Sequence, residues 1–504
     1  MKLIKEKWFT VMFTLILSFV FLLFASKCSP LYVINDWVDP NAFFTVGKGM
    51  MNGLVPYLDL FEQKGPLLFF LHGLAYLVSP TSFFGVYLLE GIFFAFFLYY
   101  AYQTFRLYLS ENVSLLLLPL LAALILSNGA FRMGDSAEEF CLPFLMYSLY
   151  LFLAYFKRVR PLRDKDFIVV GILAGCVLWI KYTMIGFWFA WMMCFFFEYL
   201  IRKDYLKAFS NCFSFLLGMG IATLPWLLYF TYHNAMPEFI EVYFLINMNS
   251  YSHDINLLEK LWLPFKLFYQ NLCKYPLVFW LLLLGIPYFT CSWILSKEKR
   301  GRLFFLLLLL FLILTVYIGG FGYKYYFFIF VPFLLFGLVA IFHYLEWSPQ
   351  NRKMPFVLLF ICLFSFLYLY KTSPNVPDMK LQKEDYAQYY FLKYIEEDST
   401  LLTYGFIDGG FYLTSNIIPN VRYFEKLNLK RDKFPENMDE QERYVKEGCV
   451  DFIVFRSKVT TDPNHLNVPY LYENYEYVDS FIERGKDNPG KYLLFQKQEK
   501  EKIA

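Results

Sequence analysis

Between the first apolar run of the chain and the second stand Asp36 and Asp39, followed by Gly53, Pro56, Tyr57, Asp59, Glu62 and the run Lys64-Gly65-Pro66. Carboxylates close to a lysine supply the parts of a displacement at an anomeric carbon. A carboxylate removes the proton of the attacking hydroxyl, and the transition state is oxocarbenium-like. A cation then holds the leaving oxyanion as charge builds on it. The same residues also read as ordinary interfacial charges, and composition alone favours that reading. A second acidic group is Gly134-Asp135-Ser136-Ala137-Glu138-Glu139, between two apolar runs. Adjacent glutamates beside lipid are costly unless they face a cavity or find partners; the alternative is a solvated loop. Lys181 interrupts two short apolar runs and reads either as a site cation or as a snorkelling lysine. In Gly322-Tyr323-Lys324-Tyr325-Tyr326, with Pro332 beyond, Lys324 suits a phosphate and the rings suit a sugar face. An interfacial aromatic belt explains the tyrosines equally well.

Other chemistries lack a signature. The 9 cysteines lie scattered, most of them in apolar segments and with no C-x-x-C pair, and the 5 histidines are too far apart for a local metal motif. No nucleic-acid partner is expected.

The elements that must position these residues are membrane helices. Of 504 residues, 58% are hydrophobic and only 18% charged, against about 45–50% and about 25% in soluble domains. With roughly 17–25 residues per span, about eleven spans emerge, near 8–26, 82–105, 113–130, 139–156, 166–180, 183–200, 209–231, 276–295, 303–319, 326–344 and 355–371. The first lacks a small-residue cleavage site and reads as an uncleaved helix. Lys and Arg concentrate in the stretches 1–7, 106–112, 157–166, 201–208, 296–302 and 345–354. The positive-inside rule therefore puts the N-terminus in the cytoplasm and the C-terminal tail outside.

Two outer loops are long, 27–81 and about 233–275. The first holds two amphipathic pieces, of which Lys64–Ser79 is short for a span and reads as an interfacial helix. Residues 1–373 form the membrane domain, and 374–504 read as a small soluble α/β domain. In that tail, EDYAQYYFLKYIEED and ENMDEQERYVKEG have helical periodicity, TLLTYGF and VDFIVFR look like buried strands, and the last two strands meet at an Asn-Pro-Gly turn.

The stretch NDWVDPNAFFTVGKGMMNGLVPYLDLFEQKGPLLFF resembles the first outer loop of the GT-C superfamily. The likeness is to bacterial relatives of the dolichyl-phosphate-mannose protein mannosyltransferases and the lipid A aminoarabinose transferases. It implies a catalytic acid after the first helix, which Asp39 matches by its distance to Gly53, with Asp36 the nearby alternative. It implies a phosphate-contacting lysine at Lys64, a second acidic site at Asp135, Glu138 and Glu139, and further phosphate contacts at Lys181 and Lys324. The sequence departs from the family pattern in having Asp39-Pro40 where an Asp-Glu pair is usual, and Gly65 between the lysine and Pro66. The tail motif from Tyr404 to Phe411 is similar to tails of bacterial members, without chemistry attached; Asp408 there suits a turn cap.

The resemblance implies an enzyme of a bacterial plasma membrane. It would move a hexosyl or pentosyl group from a polyprenyl-phosphate donor to an extracytoplasmic glycan, lipid or protein, with inversion. By analogy a divalent metal could bridge the second acidic site and Asp39. The competing readings are a lipid-linked oligosaccharide flippase or other transporter, and a polysaccharide polymerase or ligase.

Overall fold

A computed structural model describes residues 2–250, 256–295, 298–343, 353–483 and 490–498. The basic stretches 296–302 and 345–354 and the Asn488-Pro489-Gly490 turn fall partly outside the described residues. The chain packs as two compact units: Met1–Ser29, Tyr87–Leu227 and His253–Pro377 in one, and Pro30–Val86, Leu228–Ser252 and Asp378–Ala504 in the other.

The helices α1 (Lys2–Ala25), α2 (Val38–Met51), α3 (Pro66–Val78), α4 (Phe84–Phe105), α5 (Glu111–Leu126), α6 (Ala137–Phe156), α7 (Asp164–Lys181), α8 (Gly186–Ile201) and α9 (Tyr205–Tyr232) open the chain. Pro276–Cys291, Lys299–Val316, a 3-10 helix Lys324–Phe333 continued by Leu334–His343, and Met354–Thr372 follow. Each span expected from sequence falls on a helix. Seven helices are long and apolar enough to cross a bilayer, which makes this an integral membrane protein. Glu111–Leu126, Gly186–Ile201 and Pro276–Cys291 have 16 residues each, short of the roughly 20 needed to span. Lys299–Val316 begins with Lys299, Arg300 and Arg302.

Within the first unit, α7 and α9 cross with their backbones touching. A Cβ on Gly171 would stand 2.1 Å from the Phe215 carbonyl oxygen, and one on Gly218 would stand 2.1 Å from that of Ile168. Small residues permit this approach where no hydrophobic drive exists between helices. The break at Lys181 is real: α7 ends there, Tyr182–Met184 forms a 3-10 turn, and α8 starts at Gly186.

In the second unit, α2 packs on α3 with equal closeness. A Cβ on Gly47 would meet the Phe69 carbonyl oxygen at 2.5 Å and the Gly73 nitrogen at 2.6 Å. The helix stops at Asn52 and Gly53, whose φ of +90° suits a glycine. Residues Leu401–Tyr404, Phe452–Lys458, Tyr475–Ile482 and Gly490–Lys497 are β1 to β4, in the order β1-β2-β4-β3. β1 and β2 are parallel, with Leu401 opposite Phe452; the other pairs are antiparallel. Helix Glu436–Glu447 is held to this sheet by buried Gln441. Its amide accepts from the Gly405 N–H at 3.0 Å and donates to the Tyr423 carbonyl at 3.0 Å.

Among the described residues, the connection 233–275 contains Met236–Ile240, a π-turn Glu241–Ile246, and Leu257–Leu272. Phe239 and Tyr243 in it are buried, with Phe239 stacked on Phe230 and on Tyr243. The helical pattern at 384–398 forms only short turns, Ala387–Tyr390 and Phe391–Lys393. Tyr390, Lys393 and Tyr394 there all reach Asp479 of β3, at 2.9, 3.0 and 2.8 Å.

Candidate active site

In the second unit, Asp39 lies in the first turn of α2, half-buried. The segment between α2 and α3 folds back on itself. Asp59 accepts the Val55 N–H at 2.7 Å, and Tyr57, at φ +72°, donates its hydroxyl to the Lys64 carbonyl at 2.6 Å. Glu62 is buried and accepts the Lys64 N–H at 2.5 Å, with the Lys64 Nζ 3.8 Å from its other oxygen. Burial pushes the Glu62 carboxyl above its usual range; Lys64 pulls it back and Asp39 pushes it further up. Asp39, Glu62 and Lys64 therefore share one electrostatic neighbourhood. Lys64 also stands 5.2 Å from the centre of the Phe43 ring.

The tail segment closes this neighbourhood from within the same unit. The Phe61 N–H donates to the Arg422 carbonyl at 2.9 Å, and the Arg422 Nε donates to the Tyr57 carbonyl at 3.1 Å. Glu425 is fully buried and held well above the usual carboxylate range, by burial first and then by Glu62, Asp408 and Asp39, against the Asp408 N–H that it accepts. Asp408 caps the turn at Phe411, accepting its N–H at 3.0 Å, and burial raises it to about 6. Lys48, buried in α2, donates to the Tyr412 carbonyl at 2.7 Å; burial lowers it to about 7 against the pull of Asp408 and Glu397. Burial holds the Tyr386 hydroxyl up, and Asp36 adds to that.

The first unit holds a separate acidic cluster. Ser136 caps α6, accepting the Glu139 N–H at 3.1 Å. Asp135, Glu138 and Glu139 are all buried, so the solvated-loop alternative does not apply. Lys181 lies 2.5 Å from Glu138 and 3.6 Å from the centre of the Tyr326 ring, a paired cation and not a snorkelling one. The Glu139 carboxylate and Glu90 of α4 both accept the Asp135 N–H, each at 2.9 Å. Lys324 is exposed at the start of its 3-10 helix.

Asp39 and Lys64 thus share one neighbourhood, and Asp135, Glu138, Glu139 and Lys181 share another. Burial first, and then acids that include Asp36 and Asp408, hold the Tyr492 hydroxyl up. Sequence reasoning missed Glu90, although a lone acid inside an apolar run is itself a functional flag. It also missed Glu425, Lys48 and the placing of Glu62, whose partners lie far along the chain. Among the described residues, no three His, Cys, Asp or Glu side chains are grouped to hold a metal ion.

Residues 63–229 match the family model described as dolichyl-phosphate-mannose-protein mannosyltransferase, in agreement with the GT-C likeness read from the first outer loop. The whole fold is similar to ArnT from Cupriavidus metallidurans bound to undecaprenyl phosphate. The identity is 11%, with 96% of this chain and 97% of that one covered, at a TM-score of 0.59. The apo state of the same protein gives 10% identity, 98% of both chains and the same TM-score of 0.59. No curated protein matches the chain by sequence.

Proposed function

We propose that this protein is a glycosyltransferase that moves a hexosyl or pentosyl group from a polyprenyl-phosphate to an extracytoplasmic acceptor, with inversion. The observation that carries the reading is the convergence of Asp39, Glu62 and Lys64 in the second unit. The mannosyltransferase-family segment and the ArnT-like fold support it. That the donor carrier is a polyprenyl phosphate rests on the undecaprenyl phosphate bound to the similar ArnT structure.

In this reading Asp39 takes the acceptor hydroxyl's proton as the oxygen attacks the anomeric carbon, and the bond to the lipid phosphate breaks on the opposite face. Lys64 stabilises the phosphate as negative charge collects there. Glu62 tethers the Lys64 backbone and so fixes where that cation stands. Asp36 is the nearby alternative base. Lys181, paired with Glu138, and Lys324, exposed at the start of its 3-10 helix, are the further phosphate contacts of the reading. Asp135, Glu138 and Glu139 serve as the second acidic site. The reading puts the N-terminus in the cytoplasm of a bacterial cell, with 374–504 outside.

The test is transfer from a radiolabelled polyprenyl-phosphate sugar by the purified protein. Asp39→Asn should abolish transfer while Asp36→Asn keeps most of it. Full activity in Asp39→Asn removes the base assignment. Lipid movement across vesicles without any transfer supports a flippase instead.

A further inference from the structure

The loop 127–136 between α5 and α6 is strained. Arg132, Gly134 and Asp135 have φ of +59°, +87° and +63°. A left-handed conformation costs a non-glycine residue about 1–2 kcal/mol, and such strain persists only where the surroundings over-determine it. Here they do, all within the first unit. The Lys27 N–H donates to the Met133 carbonyl at 2.9 Å. The Asn375 amide donates to the Arg132 carbonyl at 2.8 Å and to that of Ala25 at 2.7 Å.

The central clamp is Glu90. Its side chain is fully buried on α4. One oxygen accepts the Ser26 hydroxyl at 2.7 Å, and the other accepts the Asp135 N–H at 2.9 Å. It therefore ties the end of α1 to the strained loop. Gly134 leaves room for the clamp: a Cβ there would stand 2.4 Å from the Ser26 hydroxyl and 2.5 Å from the Glu90 carboxylate. The loop in turn delivers Asp135 and the α6 N-terminus, where Glu138 meets Lys181 at 2.5 Å.

We infer that Glu90 is a positioning residue. It holds the 132–136 loop in its left-handed conformation and so sets the second acidic site of the transfer reaction. The reactive consequence rests on the glycosyltransferase reading; the clamp itself does not. A carboxylate that accepts two hydrogen bonds from opposite sides is replaceable by an amide that keeps an acceptor oxygen. It is not replaceable by a methyl group, which leaves the buried Asp135 N–H with one partner fewer.

Two measurements on the full-length protein in detergent separate the claims. In hydrogen–deuterium exchange, Glu90→Ala should speed the amides of 133–139 at least tenfold with the cytoplasmic ends of α4 and α6 unchanged, and Glu90→Gln should leave them near wild type. In the transfer assay, Glu90→Ala should lower kcat at least tenfold with KM for the donor within threefold, and Glu90→Gln should restore it. If Glu90→Ala does not fold, Ser26→Ala, which removes one arm of the clamp, is read in its place. Unchanged exchange in the alanine variants overturns the clamp. So does a Glu90→Gln variant as impaired as Glu90→Ala. Faster exchange with unchanged kcat overturns only the link to catalysis, and absence of transfer by wild type overturns the enzymatic reading while exchange still decides the clamp.

Discussion

Replacing Lys181 with methionine should destabilise the first unit by about 3–5 kcal/mol, the range for removing one partner of a buried ion pair. The geometry sets this magnitude. The Glu138 side chain is 1% exposed and that of Lys181 8%, with 2.5 Å between them. Glu138 Oε2 has no hydrogen-bond partner among the described residues, so the lysine supplies most of the compensation for its buried charge. Glu138→Gln should be milder, at about 2 kcal/mol, because the ammonium keeps the Tyr326 ring at 3.6 Å and a desolvated cation–π contact is worth roughly that much. The double variant Lys181→Met/Glu138→Gln leaves no buried charge. It should recover about 2–3 kcal/mol over the sum of the single effects, within the coupling range for residues in contact. The assay is denaturant unfolding of purified protein in mild detergent, followed by tryptophan fluorescence across the four variants of the cycle. A Lys181→Met variant within about 0.5 kcal/mol of wild type, the range of ordinary surface changes, would refute the reasoning. Strict additivity would refute it as well, because it would mean that the two charges are solvated separately.

Other outcomes follow from the same physics. Gly47→Ala places a methyl group 2.5 Å from a backbone oxygen and should cost about 1–3 kcal/mol as overpacking; an unchanged melting temperature would contradict the α2–α3 contact. Lys324→Ala should leave melting unchanged, since the side chain is exposed, and raise KM for the donor several-fold; an unaltered KM removes it from the phosphate site. For pH, Asp408 is raised from 3.8 to about 6 and Lys48 lowered from 10.5 to about 7. Between 3.8 and about 6 the folded state keeps a proton on Asp408 that the unfolded chain has released, so stability falls as pH rises. Between about 7 and 10.5 the unfolded chain keeps a proton on Lys48 that the folded state has lost, so stability rises. The contribution of the pair is lowest between these windows, and Asp408→Asn/Lys48→Met should flatten it in melting profiles; a double variant with the wild-type profile rejects both shifts.

The local chain was enough to locate the elements. Runs of apolar residues lengthened past a bilayer's thickness mark helices wherever they occur, because a backbone in lipid must satisfy its own hydrogen bonds. Lys181 as a break was legible for a similar reason, depending on neighbours a few residues away. Amphipathic stretches with mixed polar residues were not. At 233–275 the packing of Phe239 on Tyr57, far away in the chain, leaves no local trace in the pattern.

Which charge meets which was decided by the tertiary fold alone. Asp36 and Asp39 are three positions apart and alike in type, yet Asp36 acts on Tyr386 while Asp39 acts on Glu62 and Glu425. Glu90 looked like an isolated acid in a span until α1 and the 132–136 loop closed on it. That residues 30–86 pack in one unit with the tail could not be read locally either, since Lys48 meets Tyr412 across 364 positions. Apolar periodicity is a property of the segment that carries it, whereas a buried charge takes its meaning from its partners. Those partners are chosen only when distant segments exclude water together.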